Sequence, residues 1–183
     1  MTGLQDHKYR QWFMGADADG DGVISRQDVL LMGERFIAAC GDVSHCAAAQ
    51  RLREGLDAFW ARVLAPQDQD GDGRIGLPEL TEGFRRALAD PGLYPQQIQP
   101  VAECYFDLAD LDGNGVIDQS EFEQVFGLAA NLPFDECGRV FAALDLDGSG
   151  ALDRFEFHEA LAEFFYGDTP GAAANHLFGL ISA

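Results

Sequence analysis

Four times in 183 residues the chain repeats one acidic pattern: Asp17-Ala-Asp-Gly-Asp-Gly22, Asp68-Gln-Asp-Gly-Asp-Gly73, Asp110-Leu-Asp-Gly-Asn-Gly115 and Asp145-Leu-Asp-Gly-Ser-Gly150. Each opens a twelve-residue window. An apolar residue stands at its eighth position (Ile24, Ile75, Ile117, Leu152) and an acid at its twelfth (Asp28, Glu79, Glu121, Glu156). Such a repeat is one small unit used several times, and a unit of this size cannot bury its apolar face alone. The flanks carry apolar residues three and four apart, which puts each set on one helix face. Trp12 and Phe13, Phe59 with Trp60 and Leu64, Tyr105 and Phe106, and Val140 with Phe141 precede the windows. Val29 and Met32, Leu80 and Phe84, Phe122 with Val125 and Phe126, and Phe157 with Leu161 follow them. Ser25, Asp118 and Asp153 stand where helix N-caps belong, and Pro78 sits in a first turn that tolerates it. The expected fold is all-α, a helix–loop–helix used four times.

The window pattern, flanked by helices, resembles the EF-hand calcium loop. Calcium is a hard cation that takes about six to eight oxygens at roughly 2.3–2.6 Å. Short carboxylates at the first, third and fifth positions suit a tightly turning loop. They are Asp17, Asp19 and Asp21; Asp68, Asp70 and Asp72; Asp110 and Asp112 with Asn114; and Asp145 and Asp147 with Ser149. The sixth residue needs a left-handed backbone, which Gly adopts without steric cost. The seventh contributes its carbonyl, so its side chain is free to vary: Val23, Arg74, Val116 and Ala151. The twelfth reaches back with two oxygens. Asp28 is one methylene shorter than Glu, so the first loop is expected to be the weakest and to accept Mg²⁺. In the second loop Gly76 has no side chain with which to hold a water at the ninth position. Up to four Ca²⁺ are expected in all.

Composition agrees. The formal charge is −19, from 31 acidic and 12 basic residues. Sixteen carboxylates occupy ligand positions in the four windows, and without them the charge would be −3. Packed together without cations, they are expected to repel one another. So acidic a chain is a poor partner for phosphate backbones or anionic lipid, and no apolar run is long enough to span a membrane. Neither nucleic acid nor membrane is expected as a partner. The four Cys (Cys40, Cys46, Cys104, Cys137) show no Cys-x-x-Cys spacing and no secretion signal precedes them, so they are read as reduced and mostly buried. A monomer in the cytoplasm is expected. Eleven of the twelve basic residues are Arg, a bias that goes with GC-rich bacterial coding.

Loops of this kind pair through their short apolar strands. Ile24 is expected to face Ile75, and Ile117 to face Leu152. Two lobes follow, residues 1–90 and 101–183, joined by the Pro-rich segment 91–100, which is expected to break a central helix. The tail, Asp168 to Gly179 with Asn175-His-Leu-Phe-Gly179, resembles the end of the sarcoplasmic calcium-binding proteins and their bacterial relative calerythrin; here Ala174 replaces a Gly. The Asp that ends the first loop fits the same family. The resemblance implies a compact molecule with both lobes packed together, acting as a calcium buffer or signal modulator.

Two other readings use the same loops. A calcium sensor would open an apolar surface to a protein target, commonly with flexible Met. This chain has three Met and fourteen Phe, which suits a fixed core better. A luciferin-binding or photoprotein-like protein would need a roomy apolar cavity with His, Tyr and Trp around it. An enzyme finds no support: the chain lacks a phosphate-cradling Gly-Lys loop, a Gly-x-Ser-x-Gly elbow and a His-Glu-x-x-His pair.

Overall fold

Each acidic window becomes a loop between two helices, because the apolar stripes on either side need a common core and the glycines between them let the chain reverse. The computed structural model describes residues 3–129 and 133–177. The first unit is α1 (Gly3–Ala16), β1 (Val23–Ile24) and α2 (Arg26–Ala39). The second is α3 (Ala47–Phe59), β2 (Ile75–Gly76) and α4 (Leu77–Ala87), with a π turn at Trp60–Leu64 and a 3-10 turn at Ala65–Gln67 leading into its loop. The third is α5 (Gln99–Ala109), β3 (Ile117–Asp118) and α6 (Gln119–Ala129). The fourth is α7 (Phe134–Leu144), β4 (Ala151–Leu152) and α8 (Arg154–Tyr166), followed by a 3-10 turn at Ala173–His176. Among the described residues no helix is long and apolar enough to cross a membrane.

The loops pair as the eighth-position residues predict. The β1–β2 pair is antiparallel with Ile24 opposite Ile75, and β3–β4 with Ile117 opposite Leu152. All four side chains are fully buried. The helix starts are set by capping. Ser25 and Asp28 form a reciprocal capping box at α2, as do Asp153 and Glu156 at α8. Asp118 accepts the backbone N–H of Glu121 at 2.8 Å to start α6. Pro78 stands in the first turn of α4.

Residues 88–92 form turns and a bend, so of the segment 91–100 expected to break the helix only residues 91 and 92 do so. From Tyr94 onward it is helical: a π turn at Tyr94–Ile98 runs directly into α5. Pro95 and Pro100 each lie in the first turn of one of these pieces, where the missing N–H has no helical partner to lose.

The two halves share one core. Helix α3 packs along α5, and α2 along α6. Aromatic rings cross the seam: Phe36 lies edge-on to Tyr105 at 4.6 Å and to Phe126 at 5.4 Å, and Phe84 meets Phe165 at 6.1 Å. Lys8, the sole lysine, is fully buried in the seam. Its ammonium donates to the carbonyls of Glu163 and Gly167, both at 2.9 Å, at the end of α8. A cation there satisfies orphan carbonyls and the helix dipole together. Burial lowers its pKa, against the opposing pull of Glu163 and Asp168. Tyr94 on the other side donates its hydroxyl to the His158 carbonyl at 3.0 Å.

The four cysteines are free thiols, three of them buried, and burial pushes the Cys40 thiol up to about 12, which makes it a poor nucleophile. Phe178 and Gly179, the last residues of the tail motif, lie outside the described residues.

Phe84 is 2% exposed and packs on Tyr9 and Trp12 of α1 as well as on Phe165. Phe84→Ala is therefore expected to cost about 3–5 kcal/mol. A single denaturation transition with a lowered midpoint is the expected result; an unchanged midpoint would contradict a shared core.

Candidate metal centres

The first Asp of each window follows a helix and folds the loop back on itself. Asp17 accepts the backbone N–H groups of Gly20, Asp21 and Gly22 at 2.9, 3.1 and 3.0 Å. Asp68 accepts those of Gly71 and Gly73. Asp110 accepts those of Asn114 and Gly115, and Asp145 those of Ser149 and Gly150. The sixth-position glycines have φ of +89°, +80°, +92° and +83°, the left-handed backbone their place requires. The fourth-position glycines, Gly20, Gly71, Gly113 and Gly148, are left-handed too, at +70° to +78°. The sixth position alone is expected to need it, yet the glycine two residues earlier in every window carries the same signal.

The twelfth residue closes the loop from the other side. Glu121 takes the N–H groups of Leu111 and Asp112 with one oxygen and that of Asp118 with the other. Glu156 does the same with Leu146, Asp147 and Asp153. Asp28 accepts the Ser25 hydroxyl at 2.5 Å and its N–H at 2.9 Å. Asp28, Glu121 and Glu156 are buried.

These bonds gather carboxylates. Asp17, Asp19 and Asp28 bring one oxygen each to within 4.8 Å of one another, as do Asp110, Asp112 and Glu121, and Asp145, Asp147 and Glu156. In the second loop the gathered set is Asp68, Asp70 and Asp72. Glu79 stands outside it, with its oxygens on the N–H groups of Gln69 and Gly76. The spacing suits an ion that takes oxygens at about 2.3–2.6 Å, since two such bonds end to end span it. Every donor is a hard oxygen, and no sulfur or imidazole enters the sets, so the residues fit Ca²⁺ and Mg²⁺ better than a softer metal.

Of the fifth-position acids, Asp72 joins the gathered set of its loop and Asp21 lies outside that of the first. Asn114 donates its amide to Asp112, and Ser149 donates its hydroxyl to the carbonyl of the seventh residue, Ala151, at 2.9 Å. Asp21 faces the guanidinium of Arg74 from the partner loop at 3.5 Å. Arg74 was free to vary by the logic of a seventh position, and pairing of the loops is what brings its charge to a candidate ligand of the first one. Val23 and Val116 have their N–H groups on the fifth-position side chains Asp21 and Asn114.

Mutual repulsion is not what the loops express at Asp68, Asp145 and Asp28. The Gly73 N–H holds the Asp68 carboxyl below its ordinary 3.8, and the Gly150 N–H does the same for Asp145. At Asp28 burial works to raise the value, and hydrogen bonds from Ser25, Asp19 and Ala18 outweigh it. The amides that shape the loop also keep its acids ionised, the form that binds metal.

Residues 99–162 match the family model described as EF-hand domain pair, and residues 10–29 the one described as EF hand. A calcium-binding protein of Streptomyces coelicolor, solved as a case of prokaryotic calcium-mediated regulation, is 26% identical, with 90% of this chain and 99% of that one covered and a TM-score of 0.76. Calcium-loaded apo-aequorin from Aequorea victoria shares the fold at 22% identity, with 93% and 94% covered and a TM-score of 0.76. A probable calcium-binding protein of Arabidopsis thaliana is 28% identical over 63% of this chain and 67% of its own length. Two further curated relatives are matched over 10% and 39% of their own length.

Two outcomes test this geometry. Depressed folded pKa values contribute stability above the unfolded value, and that stability is lost as pH falls below 3.8 toward the folded values. The metal-free chain is expected to hold its melting temperature above about pH 5 and to lose it below that unfolded value; a rise in stability on acidification from pH 7 would mean that repulsion dominates. Arg74→Val removes a positive charge beside Asp21 and is expected to strengthen calcium binding by the first pair about two- to threefold, a modest gain because the pair is exposed; calorimetry that finds weaker binding would refute the reading. The gathered oxygens and the paired loops coincide with the two segments, residues 10–29 and 99–162, that are similar to EF-hand calcium-binding units.

Proposed function

We propose that the chain is a cytoplasmic calcium buffer or modulator of calcium signals, with up to four sites. The first site would use Asp17, Asp19, Asp21, the Val23 carbonyl and Asp28, and would admit Mg²⁺. The second would use Asp68, Asp70, Asp72, the Arg74 carbonyl and Glu79. The third would use Asp110, Asp112, Asn114, the Val116 carbonyl and Glu121, and the fourth Asp145, Asp147, Ser149, the Ala151 carbonyl and Glu156. A bound ion would supply charge that the ionised carboxylates otherwise lack; the chain's part is to hold those oxygens in place through its own amides.

The observation that carries the buffer reading is the shared core. A sensor must free an apolar face to clasp a target, and here the apolar faces of the two lobes are spent on each other through Phe36, Tyr105, Phe126, Phe84 and Phe165. Stiff rings at this seam favour one packing over two. Such a molecule takes up calcium with little change of shape, and the packing of both lobes agrees with the resemblance to sarcoplasmic calcium-binding proteins. The second reading, a regulator with a protein target, draws on the calcium-mediated regulation ascribed to the Streptomyces coelicolor protein. A photoprotein-like role gains less: His158 is engaged by Glu103 at 2.7 Å and by Tyr94, and no His stands among the described residues around the central cavity.

Titration calorimetry with calcium, with and without magnesium, tests the reading. Four binding events are expected, with the one at the first loop reduced by magnesium. Glu121→Gln is expected to remove one strong event while far-ultraviolet dichroism stays unchanged. A full count in Glu121→Gln would contradict the ligand assignment, and no calcium heat at all would end the calcium reading. A large increase in radius of gyration on adding calcium would favour the regulator over the buffer.

A further inference from the structure

We propose that Lys8 is a positioning residue for calcium: by gripping the last turn of α8 it couples occupancy of the first loop to occupancy of the fourth, in the other lobe. Helix α1 runs into the first loop, and Asp17 follows its last residue, Ala16. Helix α8 leaves the fourth loop, with Glu156 in its first turn. The two helices pack on each other across the seam. Thirteen residues at about 1.5 Å each make α8 a rod of about 20 Å. One end of that rod carries a candidate ligand of the fourth loop. The other end carries the carbonyls that hold Lys8.

The tie is built to transmit force. The Glu163 carbonyl accepts both the Gly167 N–H and the Lys8 ammonium at 2.9 Å, so Lys8 joins the cap of α8 as an outside member. The Gly167 carbonyl takes the ammonium as well, and the Phe164 ring lies 6.0 Å from it. The negative charge of Glu163 and Asp168 offsets part of the desolvation. The Glu163 side chain folds over Gly167, where a Cβ would collide with its carboxyl, and one of its oxygens is buried without a hydrogen-bond partner. Surface pairs such as Arg26 with Asp57 are exposed to solvent and carry little energy. Hydrogen bonds from a buried charge are about twice as strong as neutral ones, and breaking them leaves buried carbonyls unpaired.

Coupling follows from that connection. Glu156, once drawn onto an ion, fixes the first turn of α8. The rod carries the constraint to its last turn, and the ammonium passes it to α1, whose end presents Asp17. The first loop is then partly ordered before its own ion arrives and loses less conformational freedom on binding, which is positive coupling. By linkage the effect is equal in both directions. The inference rests on the ligand assignment of the first and fourth loops and deepens the buffer reading, since coupled sites fill over a narrower range of calcium.

The test follows the Gly22 and Gly150 amides by nuclear magnetic resonance during calcium titration. Each donates to the first Asp of its own loop and so reports that loop alone. Glu156→Gln keeps a capping residue but loses a carboxylate, and it is expected to weaken calcium at the first loop about fivefold, at the low end of common coupling factors. In Lys8→Met, which keeps the length of the side chain and removes its charge, the same change is expected to leave the first loop unaffected. The influence of Glu79→Gln on the first loop runs through the β1–β2 pair and is expected to persist in Lys8→Met, which a general loosening of the fold would not allow. Gly167→Ala disturbs the tie from the α8 side and is expected to reduce the coupling with Lys8 in place, so the test stands if Lys8→Met misfolds. In chelator, amide hydrogen exchange along α1 is expected to be faster in Lys8→Met than in the unaltered chain. Coupling that survives both Lys8→Met and Gly167→Ala, or a first loop indifferent to Glu156→Gln when Lys8 is present, would overturn the proposal. Failure of the ligand assignment would look different: Gly22 or Gly150 would not respond to calcium at all, and both readings would fall.

Discussion

The fold depends on one carboxylate doing two jobs at the twelfth position of each window. In the first and fourth loops that acid completes a capping box, so the same side chain that starts the second helix also turns its oxygens toward the loop. Glu121 does the equivalent in the third through the N–H groups of Leu111 and Asp118. The cap fixes where the helix begins, and the helix fixes how far the acid can reach. Loop geometry and helix register are therefore one constraint, and a shorter acid such as Asp28 must satisfy both with one methylene less. The hydroxyl of Ser25, itself a capping group, meets it at 2.5 Å.

From that constraint the pairing follows. A loop closed by its own amides leaves its eighth residue free to form a short antiparallel bridge, and the buried Ile24–Ile75 and Ile117–Leu152 pairs join the units two by two. Pairing then creates contacts that no single loop contains, Arg74 opposite Asp21 among them. The lobes in turn join through α3 on α5 and α2 on α6, with aromatic rings across the seam. Rings have few rotamers, so such a seam resists rearrangement more than a Met-lined one would. This is the physical link between a Phe-rich composition and a seam that favours a single packing.

The Pro-rich segment is instructive. Pro95 and Pro100 read as breakers when counted, yet each occupies a first helical turn, and the chain resumes its helix at Tyr94. A proline's effect depends on whether its absent N–H would have had a partner, which composition cannot express. Similarly, Lys8 was merely the lone lysine of the sequence. Only its approach to the last carbonyls of α8, 155 residues away, shows that it ties the first helix to the last.

The repeat by itself determined the loops, their spacing, the helices on either side and the residue pairs that bridge them, because each of these is a local matter: twelve residues of backbone, a cap, a stripe of period 3.6. The gathered oxygens of the first, third and fourth windows were legible for the same reason. What only the tertiary structure decided is everything made by helices distant in the chain. The shared core, the buried ammonium on α8 and the ring-walled cavity between the lobes all arise where six helices converge. Such places have no period and no spacing in the sequence, since packing joins surfaces by shape, and a shape exists only once the helices have come together.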